Sequence, residues 1–285
     1  MSFREVVQRI KPAVVGIGML TNERDPLSVV IVGTGFVVHP GGWIMTNRHV
    51  AEIFVVERNG VKGVRNALAR AVLFVDATGR EIASTGKKAV GGFGVVPFPI
   101  IEIRMPPDAP EKNDLHYEIV PDLAVCRISI EELDRAGLKQ LPFLPLCDSS
   151  CVREGDEIGT CGFPLGLTIA NDGRMRQLTP IVQKGVIAAV LPWSGIRNPH
   201  AFQLDMNING GSSGSPLFLA DSGDVVGVVF AAPLETGFVT VPVKGGEERI
   251  ATVALPTGFG YAVPSKRYLS QPDPVIKLPD VIRRE

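Results

Sequence analysis

GGSSGSPL, residues 210–217, sets two serines side by side between glycines, with a proline behind them. Two frames compete for this stretch. Read as G-x-S-x-G over 210–214, Ser212 would sit on the elbow of an α/β-hydrolase, and the triad's acid and histidine would have to follow it in the chain. The histidines are His39, His49, His116 and His200, and all of them precede the serines. That frame is excluded. Read as G-x-S-G-x-P over 211–216, Ser213 becomes the reactive hydroxyl. A base and its orienting acid must then come earlier, in the order His, Asp, Ser.

The pattern around this stretch is strand-rich. β-Branched runs recur between turn signals in AVVGIGM, SVVIVGTGFVV, WIMT, ARAVLFVDATG, LAVCRISI, QKGVIAAV, DVVGVVF, ERIATVAL and GFGYAVP. Helical patterns are confined to a short amphipathic N-terminal segment ended by Pro12, to EELDRAG at 131–137, and to SKRYLSQ near the end. Alternating βα units, and with them a parallel sheet, do not fit. The pattern predicts an all-β fold of two barrels or sandwiches, with a seam in LPFLPLCDSSCVREGD, residues 141–156.

Composition narrows the function. The 285 residues carry 29 basic and 30 acidic side chains, so no long-range field gathers polyanions, and neither nucleic acid nor a membrane surface is an expected partner. Arg4, Glu5, Gln8 and Arg9 interrupt the stretch where a secretion signal needs an apolar run, so the chain as written is expected to be cytoplasmic. Cys126, Cys147, Cys151 and Cys161 lack the paired C-x2-C knuckles of a structural zinc site. They are expected to be reduced thiols, with a Cys147–Cys151 disulfide as the alternative in an exported protein, and no metal or cofactor is expected.

The segment TGFVVHPGGWIMTNRHVAE carries His49 just after the strand WIMT, and VPDLAVCRI carries Asp122 at the head of a strand. With GSSGSP these segments resemble the trypsin-like serine peptidases, most of all the HtrA-like branch, where T-x-x-H-V, D-L-A-[VL] and G-x-S-G-x-P occur in this order. The resemblance continues through CGFPLGL (161–167), LDMNINGGSSGSPL (204–217), GDVVGVVF (223–230) and GFGYAVPS (258–265). It implies two six-stranded antiparallel β-barrels with short terminal helices. Residues 1–145 would carry His49 and Asp122, and residues 146–285 would carry Ser213 and a short tail.

The chemistry needs these residue types. A serine hydroxyl is a poor nucleophile near neutral pH, and an imidazole titrates where it can take the proton and return it to a leaving amine. Asp122 would fix the imidazole tautomer. By the resemblance, the N–H groups of Gly211 and Ser213 form the oxyanion hole, and glycine at 211 presents its N–H without a side chain in the way. Asn207, six positions before the nucleophile, would form the base of the specificity pocket, where an aspartate would select Arg or Lys. Val229, Phe230 and Ala231 would form one wall and Phe259 the other, leaving room for a small or aliphatic substrate residue.

Three departures from the family pattern stand out. Ser215 occupies a position that many relatives give to glycine, and little effect is expected from so small a residue. His49 and Asp122 lie 73 positions apart, which implies an insertion, placed at residues 84–114 and read as an enlarged hairpin or as a lid beside the cleft. Only about twenty residues follow the last expected strand, too few for the peptide-binding PDZ domain usual in HtrA-like enzymes, so regulation would fall to loops, self-association or a separate subunit. The expected function is a serine endopeptidase acting on proteins or peptides. The alternatives are a silent or conditionally active scaffold of the same fold and, more remotely, a subtilisin-type order using Asp25, which lacks its helical context.

Overall fold

The computed structural model describes residues 1–22, 28–58, 61–65, 68–76, 81–82, 87–88, 93–105, 121–133, 140–164, 179–231, 234–242 and 248–269. The β-branched runs found in the sequence become strands. In the first half these are β1 (Val14–Leu20), β2 (Val29–His39), β3 (Trp43–Thr46), β4 (Val55–Arg58), β5 (Val61–Val64), β6 (Ala69–Asp76), β7 (Glu81–Ile82), β8 (Lys87–Lys88), β9 (Phe93–Arg104) and β10 (Ala124–Ile128). In the second they are β11 (Glu157–Gly162), β12 (Ile181–Leu191), β13 (Ala201–Leu204), β14 (Pro216–Leu219), β15 (Val225–Ala231), β16 (Leu234–Pro242), β17 (Glu248–Pro256) and β18 (Gly260–Pro264).

Twelve of these strands close two barrels, in the orders β1-β2-β3-β10-β9-β6 and β11-β12-β13-β18-β15-β14, and their pairings are antiparallel. Closure leaves no barrel edge unpaired. The expected trypsin-like double barrel is the observed fold.

Alternation along each strand sends neighbouring side chains to different cores. In β2, Val37 points into the first barrel with Val15, Ile17 and Ile44, while Phe36 and Val38 point into a second cluster with Phe163, Phe218, Val228 and Val263 of the other barrel. That second cluster is the seam, and it is apolar. The second barrel has its own interior of Ile158, Phe202, Leu204, Leu217 and Val229. The chain crosses between barrels around Pro145: the N–H of Leu144 donates to Val37 of β2, and that of Cys147 donates to Val225 of β15.

Helix α1 (Phe3–Ile10) starts in a capping box, Ser2 with Glu5, and turns Val6 and Ile10 inward. It lies on the second barrel rather than on the first, which its own chain enters next. Phe3 stacks on Phe218 with centroids 6.2 Å apart, and Arg9 donates to the carbonyl of Ser222. A 3₁₀ turn, Lys11–Ala13, holds Pro12 and leads into β1.

Three expectations need correction or limits. The span 84–114 is not wholly an insertion, because β9 pairs with both β6 and β10 and completes the first barrel. Residues 106–120, the other part of the long His–Asp separation, lie outside the described residues. ERIATVAL is a strand, yet β17 pairs with β16 in a separate two-stranded ribbon and belongs to neither barrel. EELDRAG begins as a 3₁₀ turn, Ile130–Glu132, and residues 134–139 are outside the described set. No disulfide joins the cysteines among the described residues. Cys126 and Cys161 are buried, which pushes both thiols up to about 12. No helix among the described residues is long and apolar enough to cross a membrane.

Candidate active site

β3 and β10 run antiparallel, with Thr46 opposite Ala124, so the segment leaving β3 meets the segment entering β10. That pairing brings His49 to Asp122. His49 rides on α2 (Arg48–Glu52), a single turn with the extended Asn47 at its N-cap position but no side-chain cap hydrogen bond, and absent from the sequence expectation, since five residues show no periodicity. Asn47 is buried, and its Nδ2 donates to the carbonyl of Asp122 at 2.7 Å, fixing the acid-bearing loop.

The acid grips the histidine twice. Oδ2 of Asp122 lies 2.6 Å from Nδ1 of His49, and Oδ1 accepts the His49 backbone N–H at 3.0 Å. A carboxylate on Nδ1 selects the tautomer with the proton there, which leaves the Nε2 lone pair free. The hydrogen bond to Asp122 raises the imidazole above its ordinary value, partial burial opposes the rise, and the charge of Asp122 adds to it.

Ser213 lies in the turn between β13 and β14, held peptide by peptide. Ser212 N–H donates to Asn209 O at 3.0 Å, Ser215 N–H to Ser212 O at 3.0 Å, and Gly214 N–H to Val229 O at 2.8 Å. Gly211 and Gly214 both have φ of +90°. Among the described residues, no acceptor takes the N–H of Gly211 or of Ser213. The Ser213 hydroxyl donates to the carbonyl of Phe230 at 3.4 Å, and no hydrogen bond joins it to His49 among the described residues. Such contacts are commonly loose without substrate. Ser215 fits behind the turn against Gly162, where an added Cβ would stand 2.0 Å from its Oγ.

The trypsin-like peptidase domain family matches residues 33–228, more than half of the chain and inclusive of His49, Asp122 and Ser213. The chain belongs to the trypsin-like peptidase family. Solved structures similar to this family member include a variant of the HtrA-type protease AlgW with a tripeptide, at 20% identity and TM-score 0.50, covering 94% of this chain and 62% of that one. Deg5 is also similar, at 24% identity and TM-score 0.49, covering 80% of this chain and 83% of that one. This peptidase-family chain thus spans less than two thirds of the AlgW chain, and the likeness to it is one of fold. No curated protein matches closely enough to count as a relative.

The family frame places the expected pocket residues unevenly. Asn207 is exposed, and its carbonyl accepts from Gln183 Nε2 at 2.9 Å. Phe259 is 39% exposed. Val229 is not a pocket side chain: it is fully buried in the second barrel's core, and what it offers the turn is backbone, accepting from Gly214 and donating to Ser215. The ring of Phe230 stacks on Tyr261, centroids 6.2 Å apart, so its carbonyl rather than its ring reaches Ser213. A bulge between Val229 and Ala231 shifts the register here, and Ala231 pairs with Tyr261. Two residues that the sequence motifs do not specify are brought to the site by the fold of the trypsin-like domain. They are Asn47, two positions before His49, and Thr34, whose hydroxyl breaks the apolar strand VVIVGTGFVV. A buried hydroxyl in such a strand was the available signal.

Proposed function

We propose that this chain is a serine endopeptidase in which Ser213 attacks, His49 shuttles the proton and Asp122 orients His49. The observation that carries the reading is the double hydrogen bond from His49 to the Asp122 carboxylate, which leaves Nε2 as the basic end of the ring. In the first step the Ser213 oxygen bonds to the scissile carbonyl carbon as its proton passes to Nε2, and the carbonyl oxygen takes the negative charge. The unpaired N–H groups of Gly211 and Ser213 would receive that charge; one such donor is worth about 10²–10³ in rate. Nε2 then returns the proton to the departing amine, leaving an acyl-enzyme that water, activated by the same base, hydrolyses.

The test is a fluorophosphonate probe with mapping of the modified residue. Selective labelling of Ser213, abolished in Ser213→Ala with an unchanged fold, is the expected result. Labelling at Ser212 instead would sink the mechanism. The 3.4 Å contact between the Ser213 hydroxyl and Phe230 O favours one second reading, a conditionally active peptidase whose serine turns to His49 only with a substrate present. Probe uptake that appears only after a peptide ligand is added would select it.

The substrates are proteins or peptides, cut after small or aliphatic residues. Asn207 supplies no charge to pair with Arg or Lys, and Phe259 narrows the opposite side, making large aromatic residues costly. Cleavage of a denatured protein mixture, read by mass spectrometry, is expected to show cuts after Ala, Val and Leu. A predominance of cuts after Arg, Lys or Glu overturns this assignment without touching the triad.

A further inference from the structure

Thr34 lies on β2 of the first barrel, wholly buried, and bonds to the nucleophile turn of the second. Its hydroxyl donates to the carbonyl of Gly211 at 2.7 Å and accepts the N–H of Phe163 at 2.9 Å. Its backbone N–H donates to the carbonyl of Ser213 at 2.8 Å. Its own carbonyl accepts the Thr46 hydroxyl at 2.7 Å, so the brace is itself fixed.

The turn consists of consecutive peptide units, and their restraints differ. The unit joining Gly211 to Ser212 is held at both ends, by the Thr34 hydroxyl and by Asn209 O. The unit joining Ser213 to Gly214 is also held at both ends, by the Thr34 N–H and by Val229 O. The unit from Ser212 to Ser213 is tied through its carbonyl to Ser215 N–H and presents the Ser213 N–H. The unit from Gly210 to Gly211, which carries the other free N–H, has no hydrogen bond of its own among the described residues. Two glycines flank it, so it rotates with little steric resistance. What limits that rotation is the next unit along, and there the only side-chain restraint among the described residues is the Thr34 hydroxyl.

We infer that Thr34 is a positioning residue, one whose hydroxyl, delivered from the opposite barrel, keeps the Gly211 N–H aimed at the oxyanion. The inference rests on Ser213 being the nucleophile. A group acting only on the transition state changes kcat and leaves KM in place, whereas general loosening of the fold does not sort in this way. Valine matches threonine in shape but removes the hydroxyl while keeping the backbone N–H.

The experiment compares wild type, Thr34→Val, Thr34→Ser and Thr34→Cys in the full chain, by fluorophosphonate labelling rate and by steady-state hydrolysis of a short peptide ester. Thr34→Val is expected to lose about 10- to 100-fold in labelling rate and kcat with KM within about two-fold, below the ceiling of about 10²–10³ for losing one donor outright. Thr34→Ser is expected to keep activity within about three-fold, because the hydroxyl is retained. A folded Thr34→Val as active as wild type, or a Ser variant as impaired as Val, overturns the inference. Should Val fail to fold, the Ser and Cys pair decides: the thiol is a weak donor, so Cys should be slower, and equal rates overturn the proposal. A wild type left unlabelled both with and without an added peptide ligand would instead count against the peptidase reading itself.

Discussion

Asp122→Asn is expected to lower kcat by up to about 10⁴-fold, because an amide in place of the carboxylate favours the wrong imidazole tautomer and cannot stabilise the imidazolium. The fold should survive, since Asn47 holds Asp122 through its backbone carbonyl, which the substitution leaves in place. The pH profile should move as well. His49 acts as a base only when neutral, and its raised value sets the acid limb of kcat/KM above the ordinary imidazole value of about 6.5. The largest cause of that rise is the hydrogen bond to Asp122, so the asparagine variant should carry its acid limb to lower pH. Folding stability runs the other way. A base whose value is raised by folding contributes stability that is fully present below its unfolded value and is lost as pH rises through its folded value. The pair is therefore strongest where the proposed base would be protonated and idle. A pH–rate profile of both proteins checks the prediction, and an unmoved limb or an unchanged kcat would mean that a different acid orients His49.

Gly214→Ala is expected to disable the nucleophile turn and destabilise the whole chain. An added Cβ would stand 1.9 Å from the backbone carbonyl of Thr34 and 2.5 Å from the Thr46 hydroxyl, at a residue whose φ is +90°. Backbone strain of this kind costs about 1–3 kcal/mol. Relief of the overlap costs about 1–3 kcal/mol more, because the atom in the way belongs to the main chain of β2. At about 2–4 °C per kcal/mol, melting should fall by roughly 10 °C. Labelling of Ser213 should fall with it even well below the melting temperature, since β2 and the turn cannot both keep their places. Thermal melts paired with probe labelling at 25 °C test this; an unchanged melt with unchanged labelling would show that the turn is not pressed against the first barrel.

Strand alternation made an all-β fold of two barrels or sandwiches legible, and the double barrel and the His49–Asp122 pairing followed from the resemblance carried by the motifs around His49, Asp122 and Ser213. β9 was not legible. Its sequence FGVVPFPIIEIR places Pro97 and Pro99 where a strand normally donates, which reads as a loop. The structure resolves the conflict. Pro99 O accepts from Ser129 N–H just beyond the end of β10, and N and O of one residue in a strand point to the same side. Both prolines, two apart, therefore turn their missing donors to a side where the ladder with β10 has ended. The pocket side chains were illegible for another reason. A bulge between Val229 and Ala231 changes which residues face outward, and no alternation pattern announces a bulge. Thr34 escaped notice because its partners, Gly211, Ser213 and Phe163, lie far along the chain and meet it only when the barrels dock.

The bonds from β2 to the turn around Ser213 make the proposed chemistry depend on the docking of one barrel against the other. The ribosome delivers the histidine-bearing barrel first, and the serine-bearing segment well after it. Neither barrel alone holds Ser213, His49 and Thr34 together, so on the proposed mechanism a half-made chain would have nothing with which to cut its neighbours or itself. On the proposed function the seam is thus a safety catch: partial separation of the barrels would silence the peptidase before either barrel had come apart.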